Sequence, residues 1–196
     1  LIKAAMGLLG SEGCVTKGQI CYRGRNLLGL SSKELRKLNG PELGYIFQNA
    51  GSAFCPIRTV GAQLYETMRA HGKISRAEFG PQALEMLEKL GFENGERILA
   101  SYPFELSGGM QQRIGIAAAM LLQPSVLLAD EPTGNLDPNN SWEIMKLLEE
   151  INESGTTVVV VTHNREIVNA MQKRVITMKK GVIISDEEKG GYIDED

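Results

Sequence analysis

The sequence contains no apolar segment long enough to cross a lipid bilayer. Its longest mostly apolar run, IGIAAAMLL at residues 114–122, has less than half of the roughly 20 residues that a transmembrane helix requires. The opening segment, LIKAAMGLLG, lacks an initiator methionine and has neither the charged start nor the cleavage site of a secretory signal. We therefore predict a chain that does not itself span a membrane, and we expect the natural gene product to extend further towards its N-terminus.

Basic residues are not in excess either. Lys and Arg number 21 against 24 Asp and Glu, which gives a net charge of −3. A nucleic-acid-binding surface usually shows as a clustered basic excess, so we do not expect nucleic acid as a partner. The cysteines Cys14, Cys21 and Cys55 are odd in number and match no metal-ligand spacing. They fit reduced thiols with a structural role in the cytosol better than a disulfide framework.

The chain has 196 residues, of which 42% are hydrophobic. This length and composition are sufficient for one domain with a well-buried core and a small subdomain. Strand patterns occur at residues 19–24, 43–47, 126–129, 156–161, 175–178 and 182–185. Helical patterns occur at residues 31–39, 59–70, 75–90, 107–123, 138–153 and 165–172. The strands at 126–129 and 156–161 are solidly apolar, which is typical of a parallel sheet covered on both faces. The pattern predicts an α/β fold with a helical insertion between residues 59 and 102.

Two carboxylates directly follow one of these apolar strands, in VLLADE at residues 126–131. Open parallel sheets bind ligands at the carboxyl ends of their strands. Asp130 is therefore a candidate to hold Mg²⁺, directly or through water, and Glu131 is a candidate to orient and deprotonate an attacking water. The alternative at this point is that the two residues make a polar exit from the strand.

Other polar residues occupy comparable positions. Gln48 follows the strand pattern at 43–47, and His163 follows that at 156–161. Singly, each has an ordinary explanation, as a solvated glutamine and as a turn histidine. The segment LSGGMQQR at 106–113 places two glycines ahead of a helical run, and the positive end of a helix with close backbone access favours an anion.

Together these segments resemble a known family. LSGGMQQR, LLADEPTGNLD (127–137) and VVVVTHN (158–164) are similar to the signature motif, the Walker B motif with D-loop, and the H-loop of ABC-type ATPases, with Gln48 as the Q-loop glutamine. The resemblance covers the chain to about residue 185. It implies a P-loop NTPase-like (RecA-like) parallel sheet core with an α-helical subdomain, and it implies ATP and Mg²⁺ as cofactors.

The resemblance also implies roles for individual residues. Glu131, His163 and Gln48 would be catalytic, with His163 touching the γ-phosphate, and Asp130 and Gln48 would contact Mg²⁺. Ser107 and Gly109 would bind the γ-phosphate of ATP held by the opposite subunit, and Asp137 would lie between the two ATPase domains. The nucleotide-binding set implied by the resemblance is Ser107, Gly108, Gly109, Gln112 and Asp137.

One motif of the family does not occur in the sequence. The phosphate cradle G-x-x-x-x-G-K-[ST] is found nowhere in the 196 residues, and neither is the earlier aromatic residue that stacks on adenine. The opening LIKAAMGLLG resembles the body of the helix that follows this cradle. The resemblance therefore predicts an N-terminally truncated core, and it predicts poor ATPase activity for the chain as written.

The two parts of the chain resemble different members of the family. Residues 30–121 are similar to the ATPases of dipeptide, oligopeptide and nickel importers, although residues 54–56 read Phe-Cys-Pro where those proteins usually have Leu-Asn-Pro. From residue 134 onwards the chain is similar to the cell-division ABC ATPase. Natural divergence, recombination and an artificially joined sequence all remain open as explanations.

Because the helical insertion meets the membrane subunit in this family, the resemblance favours an importer subunit for peptides or nickel. It implies a peripheral location at the cytoplasmic face of the membrane, with membrane permease subunits and a second ATPase subunit as partners. The alternatives are a cell-division ATPase that signals to a membrane partner, and a non-catalytic fragment that only contributes its signature face. We predict a partial core at 1–58, a helical subdomain at 59–106, the rest of the core at 107–185, and a mobile acidic tail at 186–196.

Overall fold

The computed structural model describes residues 1–10, 13–72 and 74–193, which divide into two compact units, Leu1–Val160 and Val161–Asp196. The helices of the first unit are α1 Ile2–Ala5, α2 Ser32–Leu38, α3 Ala50–Ala53, α4 Val60–His71, α5 Arg76–Lys89, α6 Gly95–Ala100, α7 Gly108–Met120 and α8 Pro138–Glu153. The strands are β1 Cys21–Tyr22, β2 Arg25–Asn26, β3 Leu43–Ile46, β4 Val126–Asp130 and β5 Thr157–Val161. The second unit contains α9 Arg165–Met171, β6 Val175–Lys179 and β7 Val182–Glu187.

The central sheet has the strand order β3-β4-β5. Strands β3 and β4 run parallel, with Leu43 opposite Val126 and Ile46 opposite Ala129. Long stretches of chain separate these parallel neighbours, as crossover connections require. The predicted parallel α/β core is therefore confirmed.

Strand β5 differs from the prediction that both of its faces are covered. Val159 is 42% exposed and Val161 is 44% exposed, whereas Leu127 and Ala129 on β4 are fully buried. The physical reason is the position of β5 at the edge of the three-stranded sheet, because an edge strand has fewer neighbours to cover it than a central one.

Local capping explains where several helices begin. Ser31 and Ser75 cap α2 and α5, and in each case a glutamate three residues later completes a capping box. Asp137 caps α8, which then starts with a proline at its first position. These three helices begin at the predicted residues because the signals that start them lie within one turn of sequence.

The described part of residues 59–106 contains helices and no strand. Helices α4 and α6 approach closely, because a Cβ built on Gly61 would lie 2.8 Å from the carbonyl oxygen of Leu99. The sequence patterns missed α6, which has only six residues and is capped by Asn94. That this region forms a separate subdomain stays a prediction.

The core of the first unit lies between the sheet and the long helices. The side chains of Ile114 and Ile116 on α7 and of Ile144 and Leu148 on α8 are at most 2% exposed. Because each such side chain contributes about 1.5–3 kcal/mol of burial free energy, α7 and α8 are held firmly in place. The ends of these two helices carry most of the predicted nucleotide contacts.

The second unit is a helix followed by a hairpin. Strands β6 and β7 pair antiparallel, as predicted, but β7 continues to Glu187, and the carboxylate of Asp186 pairs with Arg174 at 2.7 Å. Strand β7 therefore extends two residues into the predicted tail, the mobility of that tail stays a prediction, and residues 194–196 lie outside the described residues. In the described ranges of the whole chain, no helix is both long and apolar enough to cross a membrane.

Candidate active site

Three of the predicted site residues, Gln48, Asp130 and Glu131, lie at the carboxyl ends of β3 and β4, on one side of the sheet. Because Ile46 pairs with Ala129, the chain that follows each residue leaves the sheet on the same side, with Gln48 on one segment and Asp130 and Glu131 on the other. The Gln48 side chain is exposed and lies beside the loop after Glu131, where its Nε2 is 3.4 Å from a Cβ built on Gly134.

Asp130 has a partner that the sequence patterns did not reveal. The phenolic O–H of Tyr45 on β3 donates a hydrogen bond to Asp130 Oδ2 at 3.1 Å. Partial burial of the ring, followed by this bond, raises the pKa of Tyr45 to about 12. The strand at residues 43–47 was predicted from the sequence, but the pairing register that places Tyr45 near Asp130 was not.

Glu131 has an unusual backbone conformation. Its φ is +48°, in the left-handed region, although it is not a glycine and it precedes a proline, a position normally restricted to extended conformations. The carbonyl oxygen of Glu131 accepts the N–H of Gly134 at 3.1 Å, which closes a tight turn after the strand. Conformations of this kind cost on the order of 1–3 kcal/mol and cluster at functional sites, so this outlier supports a functional role for Glu131.

The signature segment presents the start of α7 to solvent. Ser107 is the N-cap residue, and its Oγ accepts the N–H of Met110 at 3.3 Å. Ser107 and Gly108 are exposed, whereas Gly109 is buried against α8, where a Cβ built on it would lie 2.6 Å from Asn140 Oδ1. An exposed N-terminus on a 13-residue helix offers free N–H groups and a positive dipole end to an anion.

Asp137 caps α8 beside this segment. Its Oδ1 accepts the backbone N–H groups of Asn139 and Asn140, each at 3.1 Å, and its Oδ2 accepts the side-chain amide of Asn140. The Asn140 side chain, followed by these backbone donors, holds the pKa of Asp137 below its usual value. Asn140 therefore touches both the predicted interface aspartate and the glycine of the signature segment.

Gln112 faces inward rather than towards solvent. It is 4% exposed, its Oε1 accepts the N–H of Ala50 at 3.2 Å, and its Nε2 donates to the carbonyl oxygen of Phe47 at 3.2 Å. These two bonds hold the backbone on either side of Gln48. The nucleotide contact implied for Gln112 stays a prediction, and it would require this side chain to leave both partners.

We expect Gln112→Leu to speed amide hydrogen exchange at Ala50 by about 2- to 10-fold, the equivalent of the roughly 0.5–1.5 kcal/mol that one hydrogen bond contributes. Exchange followed by NMR on the chain measures this directly. Gln63→Leu is the matched control, because Gln63 accepts the N–H of Cys55 in the next loop at 2.7 Å and should leave Ala50 unaffected. Unchanged exchange at Ala50 in Gln112→Leu would show that the hydrogen bond from the Ala50 N–H to Gln112 does not stabilise this segment.

Arg113 follows Gln112 and joins three helices. Its Nη1 donates to the carbonyl oxygen of Leu90, the C-cap residue of α5, at 3.3 Å. Its Nη2 pairs with the carboxylate of Glu143 on α8. Since Arg113 itself lies on α7, its guanidinium links the signature helix to the helical region and to α8.

His163 lies in the second unit, after β5. It is exposed, and the next residue, Asn164, caps α9 by accepting the N–H of Ile167 at 3.1 Å. The predicted contact between His163 and a γ-phosphate stays a prediction. The structure therefore brings Gln48, Asp130 and Glu131 to one edge and describes His163 separately.

The oxygens at the sheet edge suit Mg²⁺ in type and number. Asp130 offers a carboxylate and Gln48 an amide oxygen, and Mg²⁺ is usually bound through one or two carboxylates together with substrate phosphates and water. Within the part of the chain that the structure describes, no group of three or more His, Cys, Asp or Glu residues could hold a metal ion. The pair of oxygens from Asp130 and Gln48 fits a cation whose other ligands come from a nucleotide and water.

The family model described as ABC transporter matches residues 1–134, which include the Gln48 segment, the signature segment and both strand-end carboxylates. The chain belongs to the ABC transporter family. The family resemblance inferred from the motifs is thereby confirmed, and with it the ATP-binding and ATP-hydrolysing character of the family.

The chain is similar to two kinds of ATP-binding protein, one from cell division and one from peptide transport. The cell division ATP-binding protein FtsE of Streptococcus pneumoniae is 43% identical over 178 residues, which cover 91% of this chain and 74% of FtsE. A probable peptide ABC transporter ATP-binding protein, y4tR, of Sinorhizobium fredii is 40% identical over 168 residues, which cover 85% of this chain and 50% of the relative. Both resemblances seen in the sequence are present in these comparisons.

A solved ABC structure confirms the fold. The dimeric, post-hydrolysis structure of an ATP-binding cassette bound to ADP and inorganic phosphate has a TM-score of 0.76 to this chain and 33% sequence identity, and the match covers 90% of this chain and 75% of that one. The predicted P-loop NTPase-like architecture is therefore that of the ABC ATPases.

Proposed function

We propose that this chain is the ATP-hydrolysing subunit of an ABC importer for peptides or nickel. The observation that carries the ATPase role is the common sheet edge, where Gln48, Asp130 and the left-handed Glu131 follow two paired strands. The importer assignment is supported by the similarity of residues 30–121 to importer ATPases, since that part contains the helices α4–α6 expected to meet a membrane subunit.

Each residue at the sheet edge has a chemical task in this proposal. Glu131 accepts a proton from the attacking water as general base, and Gln48 orients that water through its amide. Asp130 and Gln48 hold Mg²⁺, which when bound with ATP neutralises charge on the phosphates. His163 is assigned the contact with the γ-phosphate by the family resemblance alone.

The signature segment acts on a nucleotide bound by a second ATPase subunit. Ser107 and Gly108 are exposed at the start of α7, so a γ-phosphate held by the facing subunit can approach the N–H groups of this helix start, with Gly109 directly behind them. Asp137, held by Asn140, lies beside them and faces the same partner. The active unit is then a dimer that ATP closes and hydrolysis reopens, attached to membrane permease subunits at the cytoplasmic face.

A second candidate function is supported by the 43% identity to FtsE: a cell-division ATPase that signals to a membrane partner. Affinity purification of the full-length gene product from its own membranes separates the two candidates. Recovery of a peptide or metal permease supports import, whereas recovery of a division-site membrane protein overturns import in favour of the second candidate.

A third possibility, that the chain only contributes its signature face to a complete partner, is tested by ATP titration of the full-length gene product. Binding at micromolar ATP would contradict this possibility, because a chain without its own nucleotide site has nothing to saturate. Absence of binding, together with ATP-dependent association with a complete ABC ATPase, would support it against the leading proposal.

A further inference from the structure

Tyr45 is the protein group that contacts the candidate cation-binding carboxylate. In the parallel ladder Tyr45 lies opposite Leu128, and Asp130 follows Leu128 on the same face of β4 because side chains alternate along a strand. The long side chain of Tyr45 leans along the strand, and its O–H donates to Asp130 Oδ2 at 3.1 Å.

The ring of Tyr45 is held in this place by a second contact. Phe47 packs against it edge to face, with ring centroids 4.6 Å apart and an interplanar angle of 87°. Phe47 directly precedes Gln48, so the ring contacts both segments that supply oxygens to the site. The hydrogen bond and the aromatic contact together restrict how far the phenol can turn.

The hydrogen bond from Tyr45 makes the two carboxylate oxygens of Asp130 different from each other. Oδ2 accepts the phenolic hydrogen at 3.1 Å, and a hydrogen bond prefers a defined direction at its acceptor. Oδ1 is then the oxygen that can face a cation. Mg²⁺ requires near-ideal octahedral geometry, so the orientation of a single carboxylate has a large effect on how well it serves as a ligand.

We propose that Tyr45 is a positioning residue for Asp130: its phenolic O–H fixes Oδ2 and so presents Oδ1 to the Mg²⁺ of a bound nucleotide. This goes beyond the family motifs, and it rests on the proposed function in taking Asp130 as a ligand. Tyr45 touches neither nucleotide nor water in this role, and it acts only through Asp130.

The chain contains a matched pair that separates this role from ordinary hydrogen-bond satisfaction. The O–H of Tyr22 donates to Glu42 Oε2 at 2.8 Å, which is the same donor on the same kind of acceptor, in part-buried surroundings. Glu42 directly precedes β3, at the opposite end of the strand from Gln48. Tyr22→Phe therefore loses an equivalent bond far from the candidate cation site.

The experiment uses Mn²⁺, an octahedral and paramagnetic probe, added together with ATP to the full-length gene product, and it follows the broadening of the Ala129 and Asp130 amide signals in the NMR spectrum. For Tyr45→Phe we expect the Mn²⁺ concentration that gives half of the maximal broadening to rise about tenfold. Removing a hydrogen-bond partner of a metal ligand typically lowers metal affinity by about 10- to 100-fold. Tyr22→Phe should match the unaltered chain, and Asp130→Asn should lose the local broadening.

The outcomes distinguish the inference from the proposed function. If Asp130→Asn loses the broadening while Tyr45→Phe binds Mn²⁺ as tightly as the unaltered chain, or more tightly, the role of Tyr45 is overturned and Asp130 remains a ligand. If Asp130→Asn behaves like the unaltered chain, Asp130 is not a ligand, and both the inference and the metal part of the proposed function fail. Urea unfolding of Tyr45→Phe and Tyr22→Phe checks that both variants are folded.

Discussion

Glu131→Gln in the full-length gene product will hydrolyse ATP about 10²- to 10⁴-fold more slowly than the parent protein, the usual contribution of a positioned general base. Glutamine keeps the size and the hydrogen-bonding reach of glutamate but does not accept a proton at neutral pH. The left-handed turn that aims the side chain is a backbone property and should persist in the variant. Phosphate release at saturating Mg·ATP measures the effect.

The control for this variant is Glu153→Gln at the exposed C-terminal end of α8, which removes the same charge away from the sheet edge. We expect Glu153→Gln to retain the parent rate. We also expect Glu131→Gln to bind ATP with unchanged affinity, because the base acts on water and not on the phosphates. A Glu131→Gln protein with parental turnover would show that another group is the base.

Gly109→Ala will disable the signature segment. A Cβ at this position would lie 2.6 Å from Asn140 Oδ1, so the Asn140 side chain must turn away and release its bond to Asp137, where Ser107 and Asp137 are expected to face the partner subunit. Overpacking of this kind costs about 1–3 kcal/mol of unfolding free energy. Displacing the N–H donors from a γ-phosphate should lower ATP turnover by about 10²-fold.

Gly80→Ala provides the matched control, because Gly80 also lies in a helix but a Cβ there would meet nothing within 4 Å. Alanine is a better helix former than glycine by about 1 kcal/mol, so Gly80→Ala should raise stability slightly and leave turnover unchanged. The double variant Gly109→Ala with Asn140→Ala removes the clashing oxygen and should recover most of the lost stability. Urea unfolding and phosphate release test all three, and a Gly109→Ala protein with parental values would contradict the predicted clash.

Much of the fold was predictable because the deciding signals are local. Helix α8 has the predicted bounds, since Asp137 and Pro138 start it and Gly155, just beyond its C-terminal end, supplies the positive φ that follows it. The capping boxes at Ser31 and Ser75 are likewise complete within four residues. Such elements need no information from distant parts of the chain.

The elements that the sequence did not predict depend on distant contacts. Helix α6 is short, and its close approach to Gly61 through Leu99 joins positions far apart in the chain. The exposure of Val159 depends on the position of β5 as the outer strand of the sheet, and amino-acid composition does not indicate that position. Residue type alone therefore misjudged how this strand is covered.

In the candidate site, too, the local features were predicted from the sequence and the features that depend on distant contacts were not. The motifs placed Gln48, Asp130 and Glu131 at strand ends, and the structure brings their segments to one edge, although their roles stay proposals. The bond from Tyr45 to Asp130 depends on the register between β3 and β4, which a single sequence does not reveal. The inward orientation of Gln112 depends on how α7 packs against the segment that contains Ala50.

The guanidinium of Arg113 has a mechanical consequence. It bonds the C-cap carbonyl of α5 and the carboxylate of Glu143 on α8 from its own place on α7, so a single side chain connects α5 to both of the helices that begin after Ser107 and Asp137. Movement of α5 would therefore act on both helices through one guanidinium.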